Sequence, residues 1–215
     1  MKSLDKDVLI CYNNSYFEKH NKKVVKMKKM STLFRVDYHK KGDPGVIHNE
    51  VRPENEWVFT ETDFISITRK FDGQATAVID GRLYRRYDAK QGKQAPEGAI
   101  PCCDPDPISG HHPHWVKVSP DSPNDKFLWE EFVRDRKNLL DGTYEFCGEK
   151  VGGNPEKLDG HVFIKHSLFQ YHFHTNLSFD YIRDFLEEND IEGLVFHHED
   201  GRMCKIRKTD FGFER

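Results

Sequence analysis

Four short segments put charge where the surrounding pattern is apolar. Lys70-Phe71-Asp72-Gly73 closes an alternating run, and Thr143-Tyr144-Glu145-Phe146-Cys147-Gly148 sets a glutamate inside an otherwise apolar stretch. Asp190-Ile191-Glu192-Gly193-Leu194-Val195-Phe196 does the same. Met203-Cys204-Lys205-Ile206-Arg207 places two cations on one face of a strand, because side chains two apart point the same way. Burying a charge costs roughly several kcal/mol unless it is paired or holds a ligand. Each segment alone is equally readable as an edge-strand charge or a buried ion pair. Lys-x-Asp-Gly by itself is weak, since chance supplies it in about one chain in ten of this length. Four such segments in this order favour a site. The chemistry open to it is nucleophilic: a lysine amine attacks when neutral, and nearby cations and partial burial both favour the neutral form.

These charges need strands to hold them. Phe64 to Lys70 alternates, with Ile65 and Ile67 on one face and Ser66, Thr68 and Lys70 on the other. Gln74 to Ile79 and Arg82 to Tyr87 read as a hairpin around Asp80-Gly81, two residues that tolerate positive φ. Trp57, Val58 and Phe59 read as an edge strand, and Trp115, Val116 and Val118 as a short one. Residues 89–124 hold seven of the ten prolines, which predicts a long structured loop. Ser122-Pro123 starts a helix with the apolar stripe Leu128, Phe132 and Leu139, ended by Asp141-Gly142. Thr143 to Glu149, His161 to Lys165 and Phe169 to Phe173 are further strands. Ser178 caps a second helix carrying Phe179, Ile182, Phe185 and Leu186. Glu192 to His197 and Arg202 to Arg207 pair about Glu199-Asp200-Gly201. The expected class is α+β, mostly antiparallel sheet with a few helices.

In this order the four segments resemble the covalent nucleotidyltransferase superfamily of polynucleotide ligases and capping enzymes. Further stretches are similar to the RNA-ligase family that includes the vertebrate 5′–3′ RNA ligase and phage and bacterial homologues. They are Glu56-Trp57-Val58-Phe59, Gly81 through Arg86, His114-Trp115-Val116, Gly152-Gly153-Asn154-Pro155 and Glu192 through Gly212. The resemblance runs from about Thr32 to the C-terminus. It implies an ATP-grasp-like nucleotidyltransferase core of antiparallel sheets flanked by helices, a single domain over 1–215 with 1–31 a basic N-terminal extension. Only eight residues follow Arg207, so no C-terminal OB-fold is expected.

The resemblance also implies roles. The Lys70 amine attacks the α-phosphate of ATP, pyrophosphate leaves, and the adenylate passes to an RNA 5′-phosphate. A 3′-hydroxyl then displaces AMP, in an RNA-repair reaction. Lys205 and Arg207 stabilise phosphate charge; relatives often carry a second lysine where Arg207 stands, and a bidentate guanidinium suits the same task. Lys208 matches Lys-x-x-Lys by eye but faces the other way. Glu192, with Asp72 as helper, holds the waters of Mg²⁺ or Mn²⁺. Thr68, Arg86, Glu145, Phe169 and Val195 join Lys70, Lys205 and Arg207 in the ATP-binding set. Glu145 accepts a ribose hydroxyl, Val195 covers one face of adenine, and Phe169 is either its stacking partner or an ordinary core phenylalanine. Arg86 reaches ribose or an RNA end, with Arg85 facing away. His166, His197 and His198 read equally as substrate contacts or surface residues. The alternatives are a ligase-like enzyme acting on DNA or protein, and an RNA-binding module without catalysis.

Composition sets the frame. The 215 residues carry 33 Lys+Arg and 36 Asp+Glu, a net charge of −3. That excludes a uniformly basic chromatin-type protein but not a nucleic-acid binder, because residues 1–41 alone carry 11 Lys/Arg against 4 Asp/Glu. No apolar run approaches the roughly 18 residues of a membrane span, and no secretory leader is legible. Five irregularly spaced cysteines suggest a reduced, cytoplasmic chain, in the host cytoplasm if phage-encoded, and a monomer is compatible with the sequence. Cys102, Cys103, His111, His112 and His114 invite a zinc reading, but their spacing matches no common paired-ligand pattern.

Overall fold

The computed structural model describes residues 26, 27, 29–37, 45–107, 109–173 and 177–215. The basic extension expected over 1–31 falls mostly outside them, including the apolar positions Val8 to Val25. In chain order the elements are β1 (Ser31–Thr32), β2 (Phe34–Asp37), β3 (Val46–Val51), α1 (Trp57–Thr60) and β4 (Ile65–Lys70). Next come β5 (Gln74–Ile79), β6 (Arg82–Ala89), β7 (Ile100–Pro101), β8 (His112–Lys117) and α2 (Lys126–Asp135). The last are β9 (Gly142–Gly148), β10 (His161–Lys165), β11 (Gln170–Tyr171), α3 (Phe179–Glu188), β12 (Gly193–His198) and β13 (Met203–Arg207). The class is α+β with mostly antiparallel sheet, as the alternation patterns imply. Among the described residues no helix is long and apolar enough to cross a membrane.

The chain divides into two compact units. One takes residues Met30–Phe71 and Ser167–Arg215; the other takes Asp72–His166 with the short piece before Met30. The first unit contains a five-stranded sheet, β1-β13-β12-β4-β11, and the β2–β3 hairpin. Among the described residues only the β1–β13 pairing is parallel. One face of the sheet carries Ile67, Leu194, Phe196, Cys204 and Ile206, packed with Trp57 and Val58 of α1 and Ile182 and Leu186 of α3. Burying such side chains is worth about 1.5–3 kcal/mol each and sets the register, since a one-residue slip would turn the core outward. Ser178 caps α3 by accepting from the Tyr181 N–H, at 3.1 Å.

Trp57 to Phe59 is helical, not the expected edge strand. Pro53 opens a 3₁₀ turn that runs into α1, and the Trp57 Nε1–H donates to the Glu54 carbonyl. Three successive apolar residues carry no period, so the local turn decides.

The second unit contains the sheet β10-β9-β5-β6-β8-β7. Its hairpin turns at Asp80 and Gly81, with φ of 49° and 67°. Leu128 and Phe132 of α2 pack on Val78, Leu83, Tyr144, Phe146 and Phe163. The helix stops at Asp135, short of the expected Leu139. Its entry is a 3₁₀ turn with Pro123 at the first position, and Ser122 makes no side-chain cap. Asp125 instead accepts from the Ser119 N–H and from Arg85 Nε. The expected strand over Phe169 to Phe173 shrinks to Gln170–Tyr171, because Phe169 sits at φ 61°, outside the extended region.

Candidate active site

The face of the five-stranded sheet opposite its apolar core is a grid. Lys70 and Arg207 both stand opposite Gly193, giving a row Lys70–Gly193–Arg207. The next row is Thr68–Val195–Lys205, and the third is Ser66–His197–Met203. Register partners share a face, so these side chains lie together, opposite the apolar core. Gly193 has no choice of residue: a Cβ there would lie 2.1 Å from the Ile206 carbonyl oxygen. Its bare backbone leaves a notch between two cations.

Lys70 Nζ meets Glu192 Oε2 at 2.5 Å. Glu192 immediately precedes β12, so the strand pairing that sets Gly193 opposite Lys70 also sets this ion pair. Burial first, then the charges of Lys70 and Arg207, lowers the Lys205 amine to about 8, with Glu192 and Asp210 pulling the other way. Lys205 is thus held among like charges, as a group awaiting an anion would be. Arg207 is braced differently. Its backbone N–H donates to Asp210 Oδ2 at 2.9 Å and its guanidinium donates to Oδ1 at 2.6 Å, with Asp210 1% exposed. Lys208 is buried and its Nζ donates to the Glu187 and Asn189 carbonyls, at 3.1 and 3.0 Å. It satisfies the C-terminal carbonyls of α3 instead of joining the charged rows.

Thr68 is 3% exposed, and its Oγ1 lies 2.8 Å from His197 Nε2. Val195 beside it is buried. Phe169 is half-buried, packs edge-on against Phe71 at 5.2 Å, and its carbonyl accepts from the Arg69 N–H.

The second unit holds Asp72, Arg86 and Glu145. Glu145 Oε1 accepts from the Gly73 N–H at 3.1 Å, and Oε2 meets His166 Nε2 at 2.9 Å. The Asp72 N–H donates to Glu156 Oε1 at 2.8 Å, and the Cys147 thiol reaches the Asp72 carbonyl. Gly73 is as constrained as Gly193, since a Cβ would lie 2.4 Å from the Phe146 carbonyl oxygen. Thr76 pairs with Arg85 and Ala75 with Glu145, so Arg86 shares the Glu145 face while Arg85 turns to Asp125.

Thr68, Lys70, Val195, Lys205 and Arg207 therefore gather on one sheet face, with Glu192 against Lys70, while Asp72, Glu145 and Arg86 belong to the other unit. Asp210, three residues after Arg207, was open to reading from helical spacing; Glu156, 84 residues from Asp72, left no local signal. His111 pairs with Asp88, and His112 and His114 turn to backbone carbonyls. Burial pushes the Cys102 thiol up to about 12. Among the described residues no group of three or more His, Cys, Asp or Glu side chains is placed to hold a metal ion.

Similar curated proteins include RNA ligase 1 of Pongo abelii, 26% identical over 193 residues, which covers 68% of this chain and 59% of that protein. RNA ligase 1 of Danio rerio is 25% identical over 138 residues, covering 49% of this chain and 42% of that protein. RNA ligase 1 of Rattus norvegicus is 26% identical over 135 residues, covering 48% and 42%. The chain is related to these RNA ligases. It spans about half the length of the RNA ligase relatives it matches. No family model matches it.

Proposed function

We propose that the chain is an ATP-dependent RNA ligase that joins 5′-phosphate to 3′-hydroxyl ends through a covalent lysyl-AMP on Lys70. The observation that carries this reading is the grid on the five-stranded sheet: an amine paired to a carboxylate, a bare glycine, and two more cations on one face.

Attack requires a neutral Nζ. The proton that leaves Lys70 has an acceptor at Glu192 Oε2, 2.5 Å away. The lone pair then forms a P–N bond to the α-phosphorus while the P–O bond to pyrophosphate breaks. Lys205 and Arg207 oppose the charge that develops on the phosphate oxygens. Asp210 holds the Arg207 fork in place beforehand, so less reorganisation is needed during reaction. Glu145 accepts a ribose hydroxyl while His166 holds its other oxygen. In the later steps AMP moves to the RNA 5′-phosphate, and the 3′-hydroxyl displaces it.

A carboxylate such as Glu192 is the oxygen ligand that Mg²⁺ or Mn²⁺ would take, since these hard ions bind oxygen and keep several waters. Glu192 would hold the waters of such an ion, and when bound it would neutralise phosphate charge; Asp72, expected as its helper, belongs to the other unit, where its N–H donates to Glu156.

Folded protein incubated with α-labelled ATP and Mg²⁺ is expected to take up acid-stable, hydroxylamine-sensitive label, and Lys70→Ala to take up none. No label from ATP or GTP, with Mg²⁺ or Mn²⁺, overturns the enzyme reading and favours a binding module. Label persisting in Lys70→Ala overturns the nucleophile. Matched RNA and DNA ends then test the acceptor, with RNA joined and DNA not.

A further inference from the structure

Charge falls away along the sheet face in one direction. The first row carries Lys70 and Arg207, the second carries only Lys205, at its edge, and the third, Ser66–His197–Met203, carries none beyond the His197 imidazole. A phosphate chain belongs at the charged end. The neutral end has what a heterocyclic base needs: an apolar floor in Val195 and a few fixed hydrogen-bonding groups beside it. Those groups are Thr68 and His197, which lie diagonally on neighbouring strands, 2.8 Å apart.

A threonine hydroxyl has one proton and two lone pairs, and χ1 stiffness leaves it few directions to point them. In isolation it could present either the proton or a lone pair to a ligand and would discriminate poorly. A fixed imidazole nitrogen removes that freedom. If His197 Nε2 is bare, it takes the hydroxyl proton, and the face of Thr68 turned to the ligand can only accept. An acceptor matches the exocyclic amine of adenine and opposes the carbonyl that guanine carries at the same ring position. If Nε2 instead bears hydrogen, Thr68 must accept from it and offers its proton outward, which reverses the preference.

We propose that His197 presents a bare Nε2 to the Thr68 hydroxyl and is thereby a positioning residue for base selection: through Thr68 it makes the nucleotide site select adenine over guanine. This rests on the nucleotidyltransferase reading above. Nothing in the ring needs to touch the nucleotide. A purely structural histidine would alter stability and the affinity for both purine nucleotides alike, whereas a base selector alters their ratio. Leaving a buried polar group unpaired is what makes such selection steep.

The test compares label transfer from α-labelled ATP and GTP, as kcat/KM, in wild type, Thr68→Val, His197→Ala and His197→Gln. Thr68→Val keeps the shape of the side chain, and His197→Gln keeps a side-chain group that can pair with the hydroxyl. Wild type is expected to prefer ATP at least tenfold. Thr68→Val and His197→Ala should each compress that ratio at least tenfold, the double variant should compress it no further, and His197→Gln should restore most of it. An unchanged ratio in His197→Ala overturns the proposal, as does a His197→Gln ratio no better than that of His197→Ala. Additive losses in the double variant also overturn it, because the two residues would then act separately. Should His197→Ala fail to fold, Thr68→Val and His197→Gln decide alone: compression in the first with retention in the second supports the dyad, and anything else overturns it. Wild type that prefers GTP or neither purine overturns the adenine assignment while leaving the nucleotidyltransferase reading intact. Wild type labelled by neither nucleotide overturns the enzyme reading itself, and this inference with it.

Discussion

Lys205 carries a cost that the fold accepts for the sake of its position. Its amine is lowered to about 8 from an ordinary 10.5, chiefly by burial. Below pH 8 the group is charged in folded and unfolded chains alike, and the folded state bears the full penalty. Between pH 8 and 10.5 the folded state releases the proton while the unfolded chain keeps it, so the penalty fades as pH rises. Lys205→Met is therefore expected to raise stability at pH 7 by about 1–3 kcal/mol, and by much less at pH 10. Denaturant unfolding of both proteins at the two pH values checks this; a variant equally stabilised at both would place the cause elsewhere than in the charge. Label transfer should fall in the same variant. At this scale the candidate site was legible where its residues are contiguous. Lys70, Glu145, Glu192 and Lys205 stand out together, as charges recurring in order inside apolar segments, where each alone would not. The Thr68–His197 pair was hidden, because its partners lie 129 residues apart and histidine suits a surface equally well.

At the scale of elements, alternation and turn chemistry located most strands. The β5–β6 hairpin and the β12–β13 pair fall where Asp80-Gly81 and Asp200-Gly201 stand. Failures came where period was short. Trp57 to Thr60 makes one helical turn, too little for 3.6-residue periodicity to show. The end of α2 was misplaced because Leu139 continues the apolar rhythm beyond Asp135, where the helix stops. Lys208 faces away from the charged rows as expected, toward the end of α3, but by a different route. It follows β13 in a 3₁₀ turn, so strand alternation no longer governs its direction. Lys208→Met should lower stability by about 1.5–3 kcal/mol, the range for hydrogen bonds to a charged group, measured as a shift in unfolding midpoint at unchanged slope. Its folded fraction should still take label from ATP. Loss of labelling with no loss of stability would return Lys208 to the phosphate site.

At the scale of the whole molecule, charge is divided along the chain. The net −3 conceals a basic front, whose residues Lys19, Lys22, Lys23, Lys26 and Lys28 have few acidic neighbours in sequence. Contacts to a nucleic-acid backbone release counterions, so their loss should show in the salt dependence of binding. Replacing these five lysines by glutamine is expected to weaken RNA binding more than tenfold at low salt and to flatten its salt slope, while label transfer from ATP changes less than twofold. Equal loss of both would assign the segment to folding instead. The division into two units was not legible, because its boundary falls between Phe71 and Asp72, inside the motif most easily read as one piece.

The double anchoring of Lys208 ties events together in time. Its ammonium grips the last turn of α3, and its neighbour Arg207 is bound to Asp210 in the same 3₁₀ turn. Fraying of α3 removes the partners of Lys208, and freeing Lys208 loosens the turn that steadies Arg207. The helix end and the guanidinium should therefore open on one clock, set by the slower of the two, even though only one of them lies in the charged rows of the sheet.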